Sequence, residues 1–181
     1  MTAPRAQILD ACVLINLLAS GEVEGILRAA ARDSFICTAV ESESIYLRTD
    51  DPKAPLEHID LRPLIGSGLL TVCAIEGSTE AELYVDYASA LDDGEAMSLA
   101  IALSRDLVLA TDERKARRLF VEAVGDSARL TSTSGLLRRW AEAEGISADS
   151  LKTALLQIEK RARYQPPASD ANYQWWVDAT R

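Results

Sequence analysis

Four carboxylates in this chain fall where strand patterns give way to helix patterns, and their residue types suit a site for a hard cation. Asp10 closes a strand-like stretch that starts at Ala6. Glu43 lies on a helical segment that follows the apolar strand Ser34-Phe35-Ile36-Cys37-Thr38. Glu95 opens the small-residue helix Gly94-Glu95-Ala96-Met97-Ser98-Leu99-Ala100-Ile101-Ala102-Leu103, and Asp112 ends the short strand Leu107-Val108-Leu109-Ala110 that comes next. Mg²⁺ and Mn²⁺ prefer oxygen donors, usually a few carboxylates with water and phosphate filling the remaining positions. A dication held in this way can lower the pKa of bound water and stabilise the departing oxygen of a phosphodiester. Each acid also has an ordinary reading. Asp10 and Asp112 can cap the helices that follow them, Asp92 and Glu95 fit an Asp-x-x-Glu capping box, and Glu43 can be a solvated helix residue. Four unrelated caps need not share one sheet edge, however, and helix N-termini favour negative charge in either role.

The elements that must position these acids alternate in type. Strands are expected at 6–10, 34–38, 69–75, 107–110 and 128–131. Helices are expected at 13–19, 22–32, 39–48, 78–90, through the small-residue stretch, and at 113–123. Thr49 to Glu57, with two prolines and two adjacent aspartates, reads as a loop, and 58–68 as a short helix or turn. Strand and helix in alternation predict a three-layer α/β fold with a mainly parallel sheet, which carries ligands at the carboxyl ends of its strands. From Ser134 the pattern becomes helical, at about 134–144 and 148–163, then breaks at Pro166-Pro167 and ends in Tyr173-Gln174-Trp175-Trp176-Val177. The expected organisation is an α/β domain at 1–132 with a C-terminal helical extension, 133–181, packed on or near it.

Composition narrows the class. At 181 residues and 48% apolar content the chain can bury one substantial core. No apolar run reaches the roughly 20 residues of a membrane span, and no basic leader precedes the first strand, so the expected setting is the cytoplasm without membrane contact. Cys12, Cys37 and Cys73 are odd in number and far apart, which predicts free thiols rather than disulfides or zinc ligands. The lone histidine, His58, is expected at the surface or in a loop. A net charge of −9 speaks against a simple basic nucleic-acid module. The charge is uneven: residues 1–113 hold 7 Lys/Arg against 20 Asp/Glu, and residues 114–181 hold 12 against 8. An acidic metal cleft beside a basic strip gives that asymmetry, and so does an acidic protein with one basic helix.

Four segments, taken in order, carry a family likeness: Ile8-Leu9-Asp10-Ala11-Cys12-Val13-Leu14-Ile15-Asn16-Leu17, Val40-Glu41-Ser42-Glu43, Gly94-Glu95-Ala96 and Ala110-Thr111-Asp112. In their order and spacing, over about residues 6–131, the sequence resembles the PIN-domain nucleases, particularly the VapC-like toxin branch. The resemblance implies a PIN-like fold, a Mg²⁺ or Mn²⁺ site, cleavage of single-stranded RNA and a cognate antitoxin protein, and it allows a homodimer. It places Asp10, Glu43, Glu95 and Asp112 at the acidic catalytic and metal positions. Glu41 is the alternative to Glu43, and Asn16, Asp92, Asp93 and Thr111 are auxiliaries. The chain departs from the family pattern twice. Glu95 stands where much of the family has Asp, and Cys12 stands where a hydroxyl or Asn is usual, which would remove a polar contact near the metal. The contrasting reading is a catalytically decayed PIN-like binding module that acts in a protein complex.

Arg114, Lys115 and Arg117, just past Asp112, are expected to contact substrate phosphates, with a solvated helix face as the plain alternative. Trp175 and Trp176 are expected to dock on the protein rather than stack a base. Asn16 is expected to order the first helix or to approach the site beside Asp10.

Overall fold

The computed structural model of the chain describes residues 6–30, 32–43, 45–49, 51 and 53–181. The N-terminal stretch read for a leader lies partly outside these residues, as do Ala31, Ser44, Asp50 and Pro52 from the expected helices and loop. In chain order the elements are β1 (Gln7–Leu9), α1 (Ala11–Ala19), α2 (Val23–Ala29), β2 (Ser34–Cys37), α3 (Thr38–Ser42), β3 (Tyr46–Leu47), β4 (Glu57–His58), α4 (Arg62–Gly66), β5 (Thr71–Cys73), α5 (Gly77–Ala88), α6 (Asp93–Ser104), β6 (Val108–Ala110), α7 (Arg114–Val124), β7 (Leu130–Thr131), α8 (Thr133–Glu144), α9 (Ala148–Arg161) and α10 (Tyr173–Thr180).

β5-β2-β1-β6-β7 form one parallel sheet, in register Ile8 with Phe35 and Leu109, and Cys37 with Cys73. The strands are short and apolar because helices cover the sheet: Ile8, Leu9, Ile36, Leu109 and Ala110 have at most 1% exposure. This is the expected three-layer α/β architecture. The chain leaves β1 toward β2 on one side and returns on the other side at β6, so the order reverses between β1 and β6. Crevices for ligands open at such a reversal, outside the strand carboxyl ends.

The described residues form two compact units. One comprises the described residues of 1–13, 31–43 and 61–132 and contains the parallel sheet; the other comprises those of 14–30, 44–60 and 133–181. In the first, α6 is buried along most of its length, at Gly94, Ala96, Ser98, Leu99, Ala100, Ile101 and Ala102, and packs on α5, α7 and β1. Its small residues permit that close approach from several sides. Arg129 closes the opposite end of β6. Its guanidinium donates to the carbonyls of Leu107 (3.1 and 2.9 Å) and Ala102, pairs with Asp106 at 3.0 Å and lies 5.3 Å from the Phe120 ring centre.

In the second unit, α8 packs on α2 and α9 on α10. Trp176 is fully buried, donates through Nε1 to Glu159 at 2.7 Å and meets Tyr164 edge-on at 5.8 Å. The docked reading of this aromatic pair therefore holds for Trp176.

One expected element is wrong. The helix read over 39–48 stops at Ser42, and Tyr46–Leu47 instead pairs antiparallel with Glu57–His58. Ile45 and Leu47 are buried on alternate sides of the exposed Tyr46, a period of two that favours strand over helix. Tyr46 packs edge-on against His58 at 5.2 Å, which puts the lone histidine on an exposed hairpin.

Glu80 carries a closely paired carboxylate in the first unit. Its side chain is 4% exposed and takes both arms of Arg105, Nε at 2.7 Å and Nη2 at 2.8 Å, plus the Glu76 amide at 2.7 Å. The Arg105 hydrogen bond holds the Glu80 pKa below the usual value near 4.5. A carboxyl with a lowered folded pKa stabilises the fold above its unfolded pKa, and that stability fades as pH falls through the folded value. Arg105→Ala leaves a buried charge unpaired and should cost about 3 kcal/mol at pH 7. Urea denaturation should show this gap between wild type and variant narrowing as the pH is taken below 4.5.

Candidate active site

Asp10 stands just past β1, with its amide hydrogen-bonded to the Ala110 carbonyl at 3.0 Å, so the ends of β1 and β6 hold it in place. Its carboxylate is 3% exposed and accepts three bonds: the Ala11 amide (2.8 Å) on Oδ1, and the Thr111 hydroxyl (2.8 Å) and Cys12 thiol (3.2 Å) on Oδ2. Burial raises the Asp10 pKa and the three donors oppose that rise; the balance stays above the ordinary value. Thr111, fully buried, also accepts the Glu113 amide at 3.1 Å, which ties the start of α7 to Asp10.

Asp112 follows Thr111, and its amide donates to the Cys12 sulfur at 3.4 Å. Cys12 thus supplies the polar contact that its difference from the family pattern put at risk: the thiol donates to Asp10 and accepts from Asp112. Burial and the charges of Asp10 and Asp112 push its pKa well up, so it remains a neutral thiol.

The acids of α6 face the same region. Asp92 and Glu95 form a full capping box, the Glu95 amide donating to Asp92 at 2.8 Å and the Asp92 amide to Glu95 at 3.4 Å. The capping reading of this pair is therefore correct. Burial, Asp92 and Asp10, in that order, push the Glu95 pKa up to about 7. Glu43 is raised by burial and then by the same two aspartates. It is not on the helix as expected: α3 ends at Ser42, and Glu43 follows with extended backbone at φ −69° and ψ 136°. Asp93, the other auxiliary, accepts the Tyr84 hydroxyl at 3.0 Å.

The basic residues past Asp112 divide. Arg117 turns inward, donating to the carbonyls of Thr111 (2.8 Å) and Thr131 (3.0 Å), so it binds the ends of β6 and β7 together. Lys115 donates to the Ala90 carbonyl. Arg114 is exposed and, with Glu113, Lys115 and Arg118, lines an open cleft of about 530 Å³. Asn16 belongs to the second unit, where its buried amide donates to Thr133 at 3.1 Å. That bond links α1 to the start of α8.

Among the described residues, no three Asp, Glu, His or Cys side chains are gathered closely enough, as they stand, to hold a metal ion. The fit to a hard dication is one of chemistry. The candidate donors are all carboxylate oxygens; burial first, and then the charges of Asp92 and Asp10, raise Glu43 and Glu95, and a dication would relieve the charge part of that cost. Among the described residues, no helix is long and apolar enough to cross a membrane.

Residues 6–171 match a family model described as a PIN domain. No curated protein and no solved structure matches the chain.

A carboxyl whose folded pKa is raised stabilises the fold fully below its unfolded pKa, and that contribution is lost as pH rises through the folded value. For Glu95 this window runs from about 4.5 to about 7. Glu95→Gln, which keeps a capping side chain, should therefore raise the melting temperature in EDTA at pH 8. At pH 4 it should leave it unchanged, as followed by circular dichroism.

Proposed function

Because the chain belongs to the PIN-domain family of nucleases, we propose that it is a Mg²⁺- or Mn²⁺-dependent endoribonuclease that cuts single-stranded RNA, the toxin of a VapC-like toxin–antitoxin pair. The observation that supports this reading is the hydrogen bond of the Thr111 hydroxyl to Asp10 at 2.8 Å, which ties the ends of β1 and β6 together at the point where the sheet order reverses. Asp10, Glu43, Glu95 and Asp112 are the residues that would hold the metal. When bound, the dication supplies a Lewis acid for water and for the scissile phosphate.

The protein's own groups have separable tasks. Thr111, Cys12 and the Ala11 amide fix the Asp10 carboxylate, so its position does not depend on the metal. Asp92 keeps Glu95 at the helix N-terminus through the capping box. Arg114, with Arg118 beside it, is the phosphate contact, whereas Arg117 serves the strand ends. An antitoxin that closes such a site would present basic side chains to these acids. The same fold with a decayed site, acting as a binding module, would bind no Mn²⁺ at millimolar concentration in a calorimetric titration.

Purified protein with Mn²⁺ should cleave single-stranded RNA. EDTA should stop the reaction, and Asp10→Asn should slow it on the order of 100-fold or more. Equal cleavage by both forms, or cleavage in EDTA, overturns the proposal. Arg114→Ala should weaken RNA binding, leave the single-turnover rate at saturation unchanged and flatten the salt dependence of log K by about 0.7. Filter binding at several salt concentrations reads that slope.

A further inference from the structure

We infer that Gly94 is a positioning residue for Glu43: the side chain it lacks is the space in which the Glu43 carboxylate rests against the first turn of α6. This selects Glu43 over Glu41 as the acid supplied by the segment after β2, and it rests on reading Asp10, Glu43, Glu95 and Asp112 as one site. A Cβ built on Gly94 would lie 2.8 Å from Glu43 Oε1, 3.4 Å from Val40 Cγ2 and 3.7 Å from Asp92 Oδ1. The first distance is closer than atoms can stand. Glu41 and Glu43 are both exposed, and of the two it is Glu43 that stands among the atoms nearest Gly94.

Backbone conformation does not explain this glycine. The positive-φ glycines are Gly21, Gly68, Gly77, Gly125 and Gly145, while Gly94 is an ordinary helical residue. In such a position glycine is a poorer helix former than alanine, so its presence calls for a spatial reason.

Nor can the helix back away to admit a methyl group. The Gly94 carbonyl accepts the Cys37 thiol of β2 at 3.7 Å, and that sulfur accepts the Ser98 hydroxyl at 3.5 Å. Ala96, Leu99 and Ala100 are fully buried behind it. Val40 is buried as well, so the mobile neighbour is the carboxylate tip of Glu43. A methyl group on residue 94 would therefore displace the Glu43 carboxylate while leaving the sheet and α6 in place.

The test is a double-mutant cycle of Gly94→Ala and Glu43→Ala, read by thermal melting in EDTA and by Mn²⁺ calorimetry. In the Glu43→Ala background, Gly94→Ala should raise the melting temperature by about 2 °C, since only helix propensity is left to act. In the wild-type background that rise should be absent. Mn²⁺ affinity should fall about tenfold in Gly94→Ala, as in Glu43→Ala, and no further in the double variant. Equal temperature shifts in both backgrounds overturn the inference, as does unchanged Mn²⁺ affinity in Gly94→Ala. If Gly94→Ala alone fails to fold, the double variant must fold; its failure would assign the space to a residue other than Glu43. A wild type that binds no Mn²⁺ and cuts no RNA overturns the nuclease reading instead, and the melting cycle still tests the Gly94–Glu43 contact.

Discussion

A carboxylate at a buried strand end loses its hydration, and the local structure around Asp10 offsets that loss with fixed hydrogen-bond donors. Three donors converge on one carboxylate that is 3% exposed: Thr111 is set by the end of β6, and Cys12 and the Ala11 amide by the first turn of α1. A parallel sheet makes this possible. β1 and β6 are neighbours, so residues about a hundred positions apart in sequence lie one hydrogen bond apart in space. Thr111 carries the junction, since its hydroxyl donates to Asp10 and accepts from Glu113 in a single step.

The acids of the first unit fall into two electrostatic kinds that exposure does not divide: Glu80 and Asp10 are buried, Glu95 is half-buried and Glu43 is exposed. Glu80 is matched by a two-armed arginine and titrates low, so it is a structural ion pair. Asp10, Glu43 and Glu95 have no cationic side chain among the causes of their shifts; burial comes first for each, an aspartate charge adds to it, and all three titrate high. A fold that gives Glu80 a full partner and leaves these three to repel keeps a cost that stability alone would remove. Such uncompensated groups mark places where something else is meant to bind. The capping box belongs to the same economy: Asp92 and Glu95 stabilise the start of α6 and at the same time hold their carboxylates toward Asp10.

Much of this was legible in the sequence, because strand ends are. The apolar runs before Asp10 and Asp112 mark short buried strands, and alternation with helices implies a parallel sheet, so the two acids had to fall at one edge. The Asp92–Glu95 pair announced its capping box by spacing alone. The segment after Glu43 was not legible in this way. Ile45, Tyr46 and Leu47 are compatible with either period over so few residues, and the outcome was decided by pairing with Glu57–His58, ten positions on. Arg117 shows the same limit. Its place in a basic run suggests phosphate, but only the fold reveals that two strand-end carbonyls, Thr111 and Thr131, already occupy its guanidinium. Gly94 could not be read from sequence either, since its reason is a neighbour 51 positions away.

Cys12 decides how much weight the departure from the family pattern deserves. A thiol is a weaker donor and acceptor than a hydroxyl, and its longer contacts, 3.2 Å to Asp10 and 3.4 Å from the Asp112 amide, fit that chemistry. A thiolate in this place would add a negative charge among carboxylates. Burial together with Asp10 and Asp112 raises the pKa and keeps the proton on sulfur, so the group remains the neutral donor that Asp10 needs. The substitution preserves the connection between the two strand-end acids while loosening it.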